Sequence, residues 1–148
     1  MHNSNKQICG FSGEYRFLSN FYPVQITIDG VVYQSSEHYY MSQKTDDQLI
    51  RDRIIEAKTP GIAKRLGAKI KLRPDWNEKY KMKSMLTAVL HKFLAPEMWE
   101  RLDATDDAYL EETNHWGDVY WGVCDGVGEN WLGKILMHTR KTYRIAND

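Results

Sequence analysis

Four side chains between positions 37 and 44 have the types and the spacing for acid–base or nucleophilic chemistry. Glu37, Tyr40, Met41 and Lys44 follow the repeat of an α-helix and share one of its faces. Both ends of that face are charged, and its middle is Tyr and Met. Because burial of an unpaired carboxylate or ammonium group is costly, the face either turns to solvent or lines a cavity with a polar function. On this stretch alone, both interpretations stand.

Two serines mark the start of this helix. Ser35 or Ser36 can cap a helix expected over 35–44, because a serine oxygen accepts a hydrogen bond from an orphan backbone N–H group. Glu37 then lies in the first turn, where the helix dipole favours a carboxylate. His38 points about 100° away from Glu37, so we expect it to support the site rather than to perform chemistry.

A β-hairpin is predicted immediately before this helix. Apolar and polar residues alternate over 24–28, and a second apolar run ends at Tyr33. Asp29-Gly30 joins the two runs, and Asp-Gly is typical of a type I′ turn because both of its central residues need positive φ. The hairpin would hold the start of the helix, and with it Glu37, in a fixed place.

The other elements follow from helical spacing, prolines and glycines. A helix over 48–57 is predicted to turn Leu49, Ile50, Ile54 and Ala57 inward, and a helix over 60–66 is begun by Thr59-Pro60 and ended by a left-handed Gly67. The longest helix is expected to open at Pro74, and its core face comprises Met82, Met85, Leu86, Val89, Leu90 and Phe93. Two further helices are predicted over 96–103 and over 131–143, the second capped by Glu129 or Asn130. We expect a strand from Tyr109 to Thr113 to join the hairpin, and residues 1–10 to be frayed. The predicted fold is α+β and mostly helical, with a small antiparallel sheet.

Length and charge limit the function classes. The chain has 148 residues, 42% of them hydrophobic and 27% charged, which suits a single domain over residues 1–148. Lys plus Arg and Asp plus Glu number 20 each, so no global positive charge points to nucleic acid. Basic residues nevertheless concentrate between 58 and 83, and acidic ones between 97 and 118. A basic segment can meet a phosphate-bearing ligand, but such runs are more often solvated helix faces.

Cysteine and histidine usage argues against secretion and against metal catalysis. Cys9 and Cys124 are the only cysteines, and no charged start followed by an apolar run marks a secretory signal. No apolar stretch has the length of a membrane span. We therefore expect a cytoplasmic protein with two unpaired thiols and no membrane association. The five histidines show no ligand spacing, so neither a metal nor another cofactor is expected.

A segment rich in glycine and tryptophan, residues 116–130, precedes the last helix. Four glycines and two tryptophans share it with Asp118. Glycines let the backbone approach a ligand, and Trp offers a flat platform for a base or a sugar. A long loop of this kind is typically functional or disordered, and the tryptophans argue against disorder. No dinucleotide-binding or P-loop pattern follows a strand here.

Several short motifs together resemble the YbiA-like proteins of the NADAR superfamily. In chain order they are Phe17-Leu-Ser-Asn-Phe-Tyr-Pro23; Gly30 with Tyr33-x-Ser-x-Glu-His-Tyr39 and Gln43-Lys44; Pro60-x-x-Ala-Lys64 with Gly67; Arg73-x-x-Trp76; Met85; Lys92-Phe93; Asp118-x-x-Trp-Gly122; and Asn130-x-Leu-Gly-x-x-Leu-Met137 with Arg140. Their order and spacing match between residues 11 and 140. The segment from Val123 to Glu129 departs from the family pattern, which leaves the identity of the leaving base open.

The resemblance implies an N-glycosidase. Bacterial members of this family cleave the bond between ribose C1 and an amine nitrogen in phosphorylated riboflavin-pathway pyrimidines, and others remove ADP-ribose from guanine bases of nucleic acid. It therefore implies a small phosphorylated ribosyl-amine metabolite or ADP-ribosylated guanine as the substrate, with nucleic acid as the alternative carrier. The balanced net charge favours the metabolite. A competing interpretation is a module that binds ADP-ribose or a nucleotide without hydrolysing it. The oligomeric state is not predicted.

Glu37 and Asp118 are the acids inside matched motifs, and Lys44 joins them as a predicted catalytic residue. Glycosidic cleavage passes through an oxocarbenium-like species, so we expect Glu37 to be the general acid/base and Asp118 to orient water or a ribose hydroxyl. The alternative for Asp118 is a turn cap. In the family, a lysine at the position of Lys44 is proposed to form a Schiff base with ring-opened ribose; alternatively, a charged Lys44 neutralises Glu37 or a phosphate.

Donors for the sugar and its phosphate are expected just before and within the first matched motif. Arg16, Ser19 and Asn20, flanked by Phe17 and Phe21, are predicted to bind phosphate or ribose. The alternative for this stretch is a tight turn held by aromatic packing.

Four further residues complete the predicted binding site. Trp121 would stack on the base, and Trp76 is a weaker candidate for the same role, since Trp is more often part of the core. Gly122 and Asn130 are included because they belong to the matched motifs.

Overall fold

The computed structural model describes residues 6–147 and shows an α+β chain in which helices supply most of the regular structure. Its residues group into two compact units. One comprises residues 20–92, and the other comprises residues up to 19 together with residues from 93 onward. The expected single-domain organisation stays a prediction.

Six strands and six α-helices are present in the described residues. In chain order the strands are β1 (Gln7–Cys9), β2 (Ile26–Ile28), β3 (Val31–Tyr33), β4 (Tyr109–Glu111), β5 (Thr113–Asn114) and β6 (Val123–Cys124). The helices are α1 (Ser36–Ser42), α2 (Gln48–Ile55), α3 (Pro60–Ala68), α4 (Lys81–Lys92), α5 (Pro96–Asp103) and α6 (Trp131–Ala146). A 3₁₀ segment covers Gly13–Leu18, and a π-helical turn covers Trp76–Tyr80. None of the described helices is long and apolar enough to cross a membrane.

The predicted hairpin is confirmed. Strands β2 and β3 pair antiparallel, and Asp29 and Gly30 between them have φ values of 52° and 80°. Positive φ at both central residues is the requirement of a type I′ turn. Tyr33 at the end of β3 meets Tyr39 of α1 edge to face, with ring centroids 5.0 Å apart. The hairpin and the helix after it are therefore packed together.

Helix α1 begins where the sequence predicts and ends earlier. Ser35 is the N-cap, and its side chain accepts a hydrogen bond from the backbone N–H of His38 at 3.2 Å. The helix ends at Ser42, and Gln43 is its C-cap. Lys44 therefore lies in the turn that follows α1 rather than on its last helical turn.

The predicted inward face of α2 is only partly correct. Ile54 and Ala57 are buried as expected, although Ala57 follows the helix instead of belonging to it. Leu49 is 74% exposed, contrary to the prediction. It lies in the first turn, where Asp47 caps its backbone N–H at 3.0 Å, so this end of α2 faces solvent.

Helix α3 begins as predicted, with Thr59 as N-cap and Pro60 at its first position. The predicted stop at Gly67 was wrong, because Gly67 lies inside a helix that continues to Ala68. Its function is close packing: a Cβ atom on Gly67 would overlap the side chain of Met41. Glycine at this position lets α1 and α3 approach one another.

The predicted longest helix does not open at Pro74. Asp75 has a left-handed φ of 61°, and a five-residue π-helical turn separates it from α4. Helix α4 has 12 residues, whereas α6, with 16, is longer. The expected core face is buried at Met85, Val89 and Phe93 and only partly buried at Met82, Leu86 and Leu90.

The strand predicted after position 109 exists but has a different partner. Strand β4 pairs in parallel with β1, placing Ile8 opposite Leu110, and does not join the hairpin. The pairing joins segments about a hundred residues apart, which local sequence patterns do not reveal. Contrary to the fraying expected over 1–10, residues 7–9 form β1, whose Ile8 is buried; residues 1–5 lie outside the described residues.

Helix α6 is fastened to its surroundings by two arginines. Buried Arg140 donates to Thr105 Oγ1 at 2.8 Å and to the carbonyl oxygen of Ala108 at 2.9 Å. Arg144 forms ion pairs with Asp103 at 2.7 Å and Asp107 at 3.0 Å. Asp103 is the last residue of α5, which has the predicted bounds of 96–103. Arg140, which closes the matched motifs, therefore has a structural function.

Candidate active site

The Glu37 carboxylate lies at a buried first turn that is tied to the preceding loop. Glu37 is only 6% exposed, and its backbone N–H donates to the carbonyl oxygen of Asn20 at 3.2 Å. The Asn20 side chain accepts from Ser36 Oγ at 2.9 Å and donates to Met85 Sδ at 3.2 Å. Asn20 thus links the start of α1 to α4. These contacts favour a positioning role for Asn20, and substrate binding by it stays a prediction.

His38 supports this turn, as expected. It is fully buried, with Nδ1 2.7 Å from Ser35 Oγ and Nε2 2.9 Å from the carbonyl oxygen of Ala57. Because a carbonyl oxygen only accepts, Nε2 carries a proton and donates to Ala57, while Nδ1 shares a hydrogen bond with the Ser35 hydroxyl. His38 is thereby committed on both ring nitrogens to holding the N-terminus of α1.

A tilted aromatic pair lies between the ends of the predicted catalytic face. The ring of Tyr40 contacts the ring of Trp76 with centroids 5.5 Å apart, and Lys44 Nζ lies 5.7 Å from the centroid of Tyr40. Trp76 is only 4% exposed. This position favours the core alternative for Trp76, and stacking on a substrate base stays a prediction.

Lys44 is electrostatically perturbed. Burial is the largest cause and lowers its pKa, the Glu37 carboxylate raises it, and the charges of Lys81 and Lys64 lower it. The net effect is a pKa below the ordinary value of 10.5. A lowered pKa increases the fraction of neutral amine, the form that a nucleophilic lysine needs.

Arg73 positions Lys44, and motif matching did not assign it a function. Its backbone N–H donates to the carbonyl oxygen of Lys44 at 2.8 Å, and its Nη1 donates to that of Gln43 at 3.5 Å. The guanidinium stacks on Tyr80 at 3.7 Å from the ring centroid. The signal that could have identified it was present, since Arg73 opens the matched motif that ends at Trp76.

The ring of Phe21 lies beside a lysine. Its side chain is 38% exposed, and Lys64 Nζ lies 5.6 Å from its ring centroid. Lys64 ends another matched motif, and like Arg73 it had no predicted role. The charge of Lys64 also acts on Lys44.

In the other unit, the Asp118 carboxylate caps a turn. Its Oδ1 accepts from the backbone N–H groups of Tyr120 at 3.1 Å and Trp121 at 2.9 Å. Its own backbone N–H and C=O are held by the side chain of Asn114, at 3.0 and 2.8 Å. This geometry is the turn-capping alternative. Because it uses one carboxylate oxygen, a catalytic function for the other stays a prediction.

The loop that Asp118 caps supplies hydrogen-bond acceptors to the backbone N–H groups at the start of α6. Carbonyl oxygens of residues 119–122 accept from the backbone N–H groups of residues 129–132 over 2.8–3.2 Å. These hydrogen bonds satisfy backbone N–H groups at the start of a helix, where intrahelical acceptors are missing and no side chain caps the helix. The ring of Trp121 meets that of Tyr120 edge to face at 4.7 Å. The N-terminus of α6 is therefore occupied by main chain, and base stacking by Trp121 stays a prediction.

The remaining glycine-rich residues form ordered structure. Asp125 and Gly126 have φ values of 51° and 79°, close to those of Asp29 and Gly30, and they turn the chain between Cys124 and Val127. The segment read as a long functional loop thus contains a second tight turn. Sequence reasoning overlooked the same Asp-Gly signal here.

Asn130 and Gly122 both hold the main chain. Asn130 is the N-cap residue of α6, as predicted, but it has a left-handed φ of 55° and its side chain makes no capping hydrogen bond. Its side chain instead accepts from Glu112 N at 3.0 Å and donates to the carbonyl oxygen of Leu110 at 2.9 Å. A Cβ atom on Gly122 would overlap the Glu112 carbonyl oxygen. Substrate binding by either residue stays a prediction.

Arg16 and Ser19 lie at the end of the 3₁₀ segment. The Ser19 N–H donates to the Arg16 carbonyl oxygen at 3.0 Å, and the Arg16 side chain is exposed.

The predicted site residues divide between the two units. Asn20, Phe21, Glu37, Lys44 and Trp76 belong to the unit of residues 20–92. The other unit contains Arg16, Ser19, Asp118, Trp121, Gly122 and Asn130. Among residues 6–147, no group of three metal-ligating side chains is arranged to hold a metal ion.

Curated relatives resemble this chain over most of its length. An N-glycosidase YbiA of Escherichia coli is 36% identical over 138 residues, covering 90% of this chain and 85% of that protein. An N-glycosidase of Nostoc punctiforme is 39% identical over 137 residues, covering 88% and 86%. A riboflavin biosynthesis protein of Vibrio vulnificus is 40% identical over 129 residues, which is 84% of this chain but only 35% of that protein.

A solved structure and a family model agree with these relatives. The NMR structure of E. coli YbiA matches with a TM-score of 0.86 and 34% sequence identity, covering 97% of this chain and 88% of that one. The model of the NADAR domain matches residues 5–144. With nearly its whole length matched, this chain belongs to the NADAR domain family.

Proposed function

We propose that this NADAR-family N-glycosidase hydrolyses the bond between ribose C1 and an amine nitrogen in a phosphorylated pyrimidine intermediate of riboflavin biosynthesis. The observation that carries the proposal is the buried Glu37 carboxylate beside Lys44, whose pKa burial lowers. The names of the E. coli and Nostoc relatives support the reaction, and that of the Vibrio relative supports the substrate class.

Glu37 acts first as a general acid and then as a general base. In its protonated form it donates to the leaving nitrogen as the C1–N bond breaks. The resulting carboxylate stabilises the oxocarbenium-like sugar and then removes a proton from the water that attacks C1. The products are the free amine and a ribose phosphate with a hydroxyl group at C1. Asp118 is the proposed partner that orients the water or a ribose hydroxyl.

Lys44 has two proposed roles, and both use its position beside Glu37. In the covalent role, the neutral amine attacks C1 of the ring-opened sugar and the base nitrogen leaves, which produces an imine. Water then hydrolyses the imine, releasing the sugar and restoring the lysine. In the electrostatic role, a charged Lys44 neutralises Glu37 or the substrate phosphate. Borohydride, which reduces an imine to a stable amine, separates the two.

A second candidate substrate is ADP-ribosylated guanine in nucleic acid. The observation in its favour is the basic segment around α3, in which Lys58, Lys64, Arg65, Lys69 and Lys71 are all exposed. A nucleic-acid substrate would engage several of these charges, so its turnover would fall steeply with added salt. A small metabolite with one phosphate would show a shallow dependence.

The test is release of free base from both substrates, assayed side by side. We expect the riboflavin-pathway intermediate to be cleaved and Glu37→Gln to reduce the rate by about 100-fold or more, the range for loss of a general acid/base. Glu56→Gln, which changes an exposed acid of the same unit, is the matched control. Unaltered turnover by Glu37→Gln would remove Glu37 from the mechanism. Substrate binding without any release would favour the non-catalytic binding module.

A further inference from the structure

Two lysines with no role in the proposed mechanism act electrostatically on Lys44. Lys64 belongs to α3 and Lys81 begins α4. After burial and the carboxylate of Glu37, the charges of Lys81 and Lys64 are the next influences on the pKa of Lys44. Elements that are far apart in the chain therefore bring positive charge to one place.

The packing of α3 explains the position of Lys64. Gly67, three residues later and so on the same helix face, lies against Met41 of α1. Lys64 Nζ lies 5.6 Å from the ring centroid of Phe21. Phe21 follows Asn20, whose carbonyl oxygen accepts from the backbone N–H of Glu37 at 3.2 Å. Lys64 is thus at the exposed margin of the first turn of α1.

The packing of α4 explains the position of Lys81. Its backbone N–H donates to the carbonyl oxygen of Trp76, whose ring contacts that of Tyr40 at a tilted angle. Met85, one helical turn after Lys81, accepts from the Asn20 side chain at 3.2 Å. Lys81 therefore lies on the face of α4 that is turned toward α1, partly buried.

The charges that act on Lys44 are mostly positive. Lys44, Lys64 and Lys81 face a single acid among the charges that act on Lys44, namely Glu37. Even with all groups ionised, the cluster has more positive than negative charge. Lysine is a standard point-charge ligand for phosphate, and an exposed lysine beside a partly buried one suits a group that stays half in solvent.

We infer that Lys64 and Lys81 form the subsite for the phosphate group of the sugar substrate. The sugar part of this inference rests on the proposed function. The phosphate would lie between α3 and the start of α4, with the ribose next to Glu37 and Lys44. The alternative is that both lysines only neutralise Glu37, in which case their removal would act equally on sugars with and without phosphate.

The test is direct binding, which needs no turnover. Ribose 5-phosphate and ribose are titrated into the protein by calorimetry at low salt, using the parent chain, Lys64→Met and Lys81→Met. Lys83→Met, which removes an exposed lysine of the same helix as Lys81, is the matched control. Methionine keeps the apolar stem and removes the charge, and thermal unfolding checks that each variant is folded. Lys64→Arg, which keeps the charge, is expected to keep most of the affinity.

We expect ribose 5-phosphate to bind at least tenfold more tightly than ribose. Lys64→Met and Lys81→Met should each weaken ribose 5-phosphate by about tenfold or more, the loss of one charge-assisted hydrogen bond, while Lys83→Met leaves it unchanged. No detectable binding of ribose 5-phosphate, equal affinity for the two sugars, or equal behaviour of all three methionine variants would each overturn the subsite. Lysine-dependent binding without cleavage of the proposed substrate would keep the subsite and refute the proposed substrate instead.

Discussion

The backbone N–H of Arg73 donates to the carbonyl oxygen of Lys44 over 2.8 Å. This bond joins the turn that leads into α4 to the residue that follows α1. The Arg73 side chain strengthens the connection, since it donates to Gln43 and stacks on Tyr80. Lys44 lies just outside the helix, where its backbone is held both by its own N–H, which donates to the carbonyl oxygen of Met41 at 3.3 Å, and by this contact with Arg73.

Arg73→Ala should therefore reduce turnover without altering any group that contacts substrate. The backbone bond to Lys44 remains in this variant, but loss of the guanidinium removes the bond to Gln43 and the contact with Tyr80. The turn that holds Lys44 is then less firmly fixed, and a misplacement of about 1 Å can cost up to about 100-fold in rate. We expect kcat to fall by about tenfold or more with a smaller change in KM. Arg73→Lys should not restore it, because an ammonium group cannot stack and donate in the same way.

Steady-state kinetics and thermal unfolding of these variants make the measurement, with Arg65→Ala, an exposed arginine of α3, as the control. Equal kinetics of Arg73→Ala and Arg65→Ala would contradict a positioning role. A fall in stability without any change in kcat would assign Arg73 to folding alone.

The pKa of Lys44 should respond in opposite directions to two substitutions. Burial lowers this pKa first, Glu37 raises it and Lys81 lowers it. Lys81→Met should therefore raise the pKa, and Glu37→Gln should lower it further. NMR titration of the lysine side chains measures these shifts, with Lys83→Met as the control that should leave Lys44 unmoved.

The lowered pKa of Lys44 in the folded chain predicts a pH dependence of stability. The unfolded chain, in which Lys44 has its ordinary pKa of 10.5, binds the proton more tightly than the folded chain. Charged Lys44 therefore destabilises the fold below its folded pKa, and the penalty disappears as pH rises toward 10.5. Lys44→Met should stabilise the protein at neutral pH, with a gain that shrinks in alkaline solution. A gain that is constant across this range would contradict the lowered pKa.

Local signals account for the parts of the fold that were predicted correctly. Asp29-Gly30, Ser35, Thr59-Pro60 and Pro96 each determine a turn or a helix start through their own backbone chemistry. The errors arose where distant segments decide. Gly67 looked like a helix stop, yet its function is contact with Met41 of another helix. The partner of β4 is a strand about a hundred residues earlier in the chain.

The candidate site divides in the same way. Helical spacing singled out Glu37 and Lys44, and the structure does place an electrostatic interaction between them. Helical spacing could not identify Arg73, Lys64 or Lys81, because their relation to Lys44 exists only after α1, α3 and α4 have packed. The glycine-rich segment was predicted to be functional from its composition. In the structure its carbonyl oxygens accept hydrogen bonds from the start of α6, and its glycines allow main-chain segments to pack closely.

Asp118→Asn and Asp118→Ala should separate capping from chemistry. Asparagine retains an oxygen that can accept from Tyr120 and Trp121, so Asp118→Asn should keep the stability of the parent. Asp118→Ala removes the cap and should lower the free energy of unfolding by about 1 kcal/mol, the usual value of such a cap. Chemical denaturation measures both, and release of free base measures activity. If Asp118 is the catalytic partner, Asp118→Asn should lose activity while remaining stable; full activity in Asp118→Asn would restrict Asp118 to the turn.

Gly122→Ala should be strongly destabilising for a reason that lies in the backbone. A Cβ atom at this position would overlap the Glu112 carbonyl oxygen, which itself accepts from Val123 N at 2.9 Å. Because neither main-chain segment can move without disturbing the cap of α6, we expect a loss of about 1–3 kcal/mol, typical of overpacking. Val127→Ala, at an exposed position of the adjacent turn, is the control and should change stability by less than about 0.5 kcal/mol. Urea unfolding of the two variants compares them directly, and equal stability would show that the chain relaxes around the added methyl group.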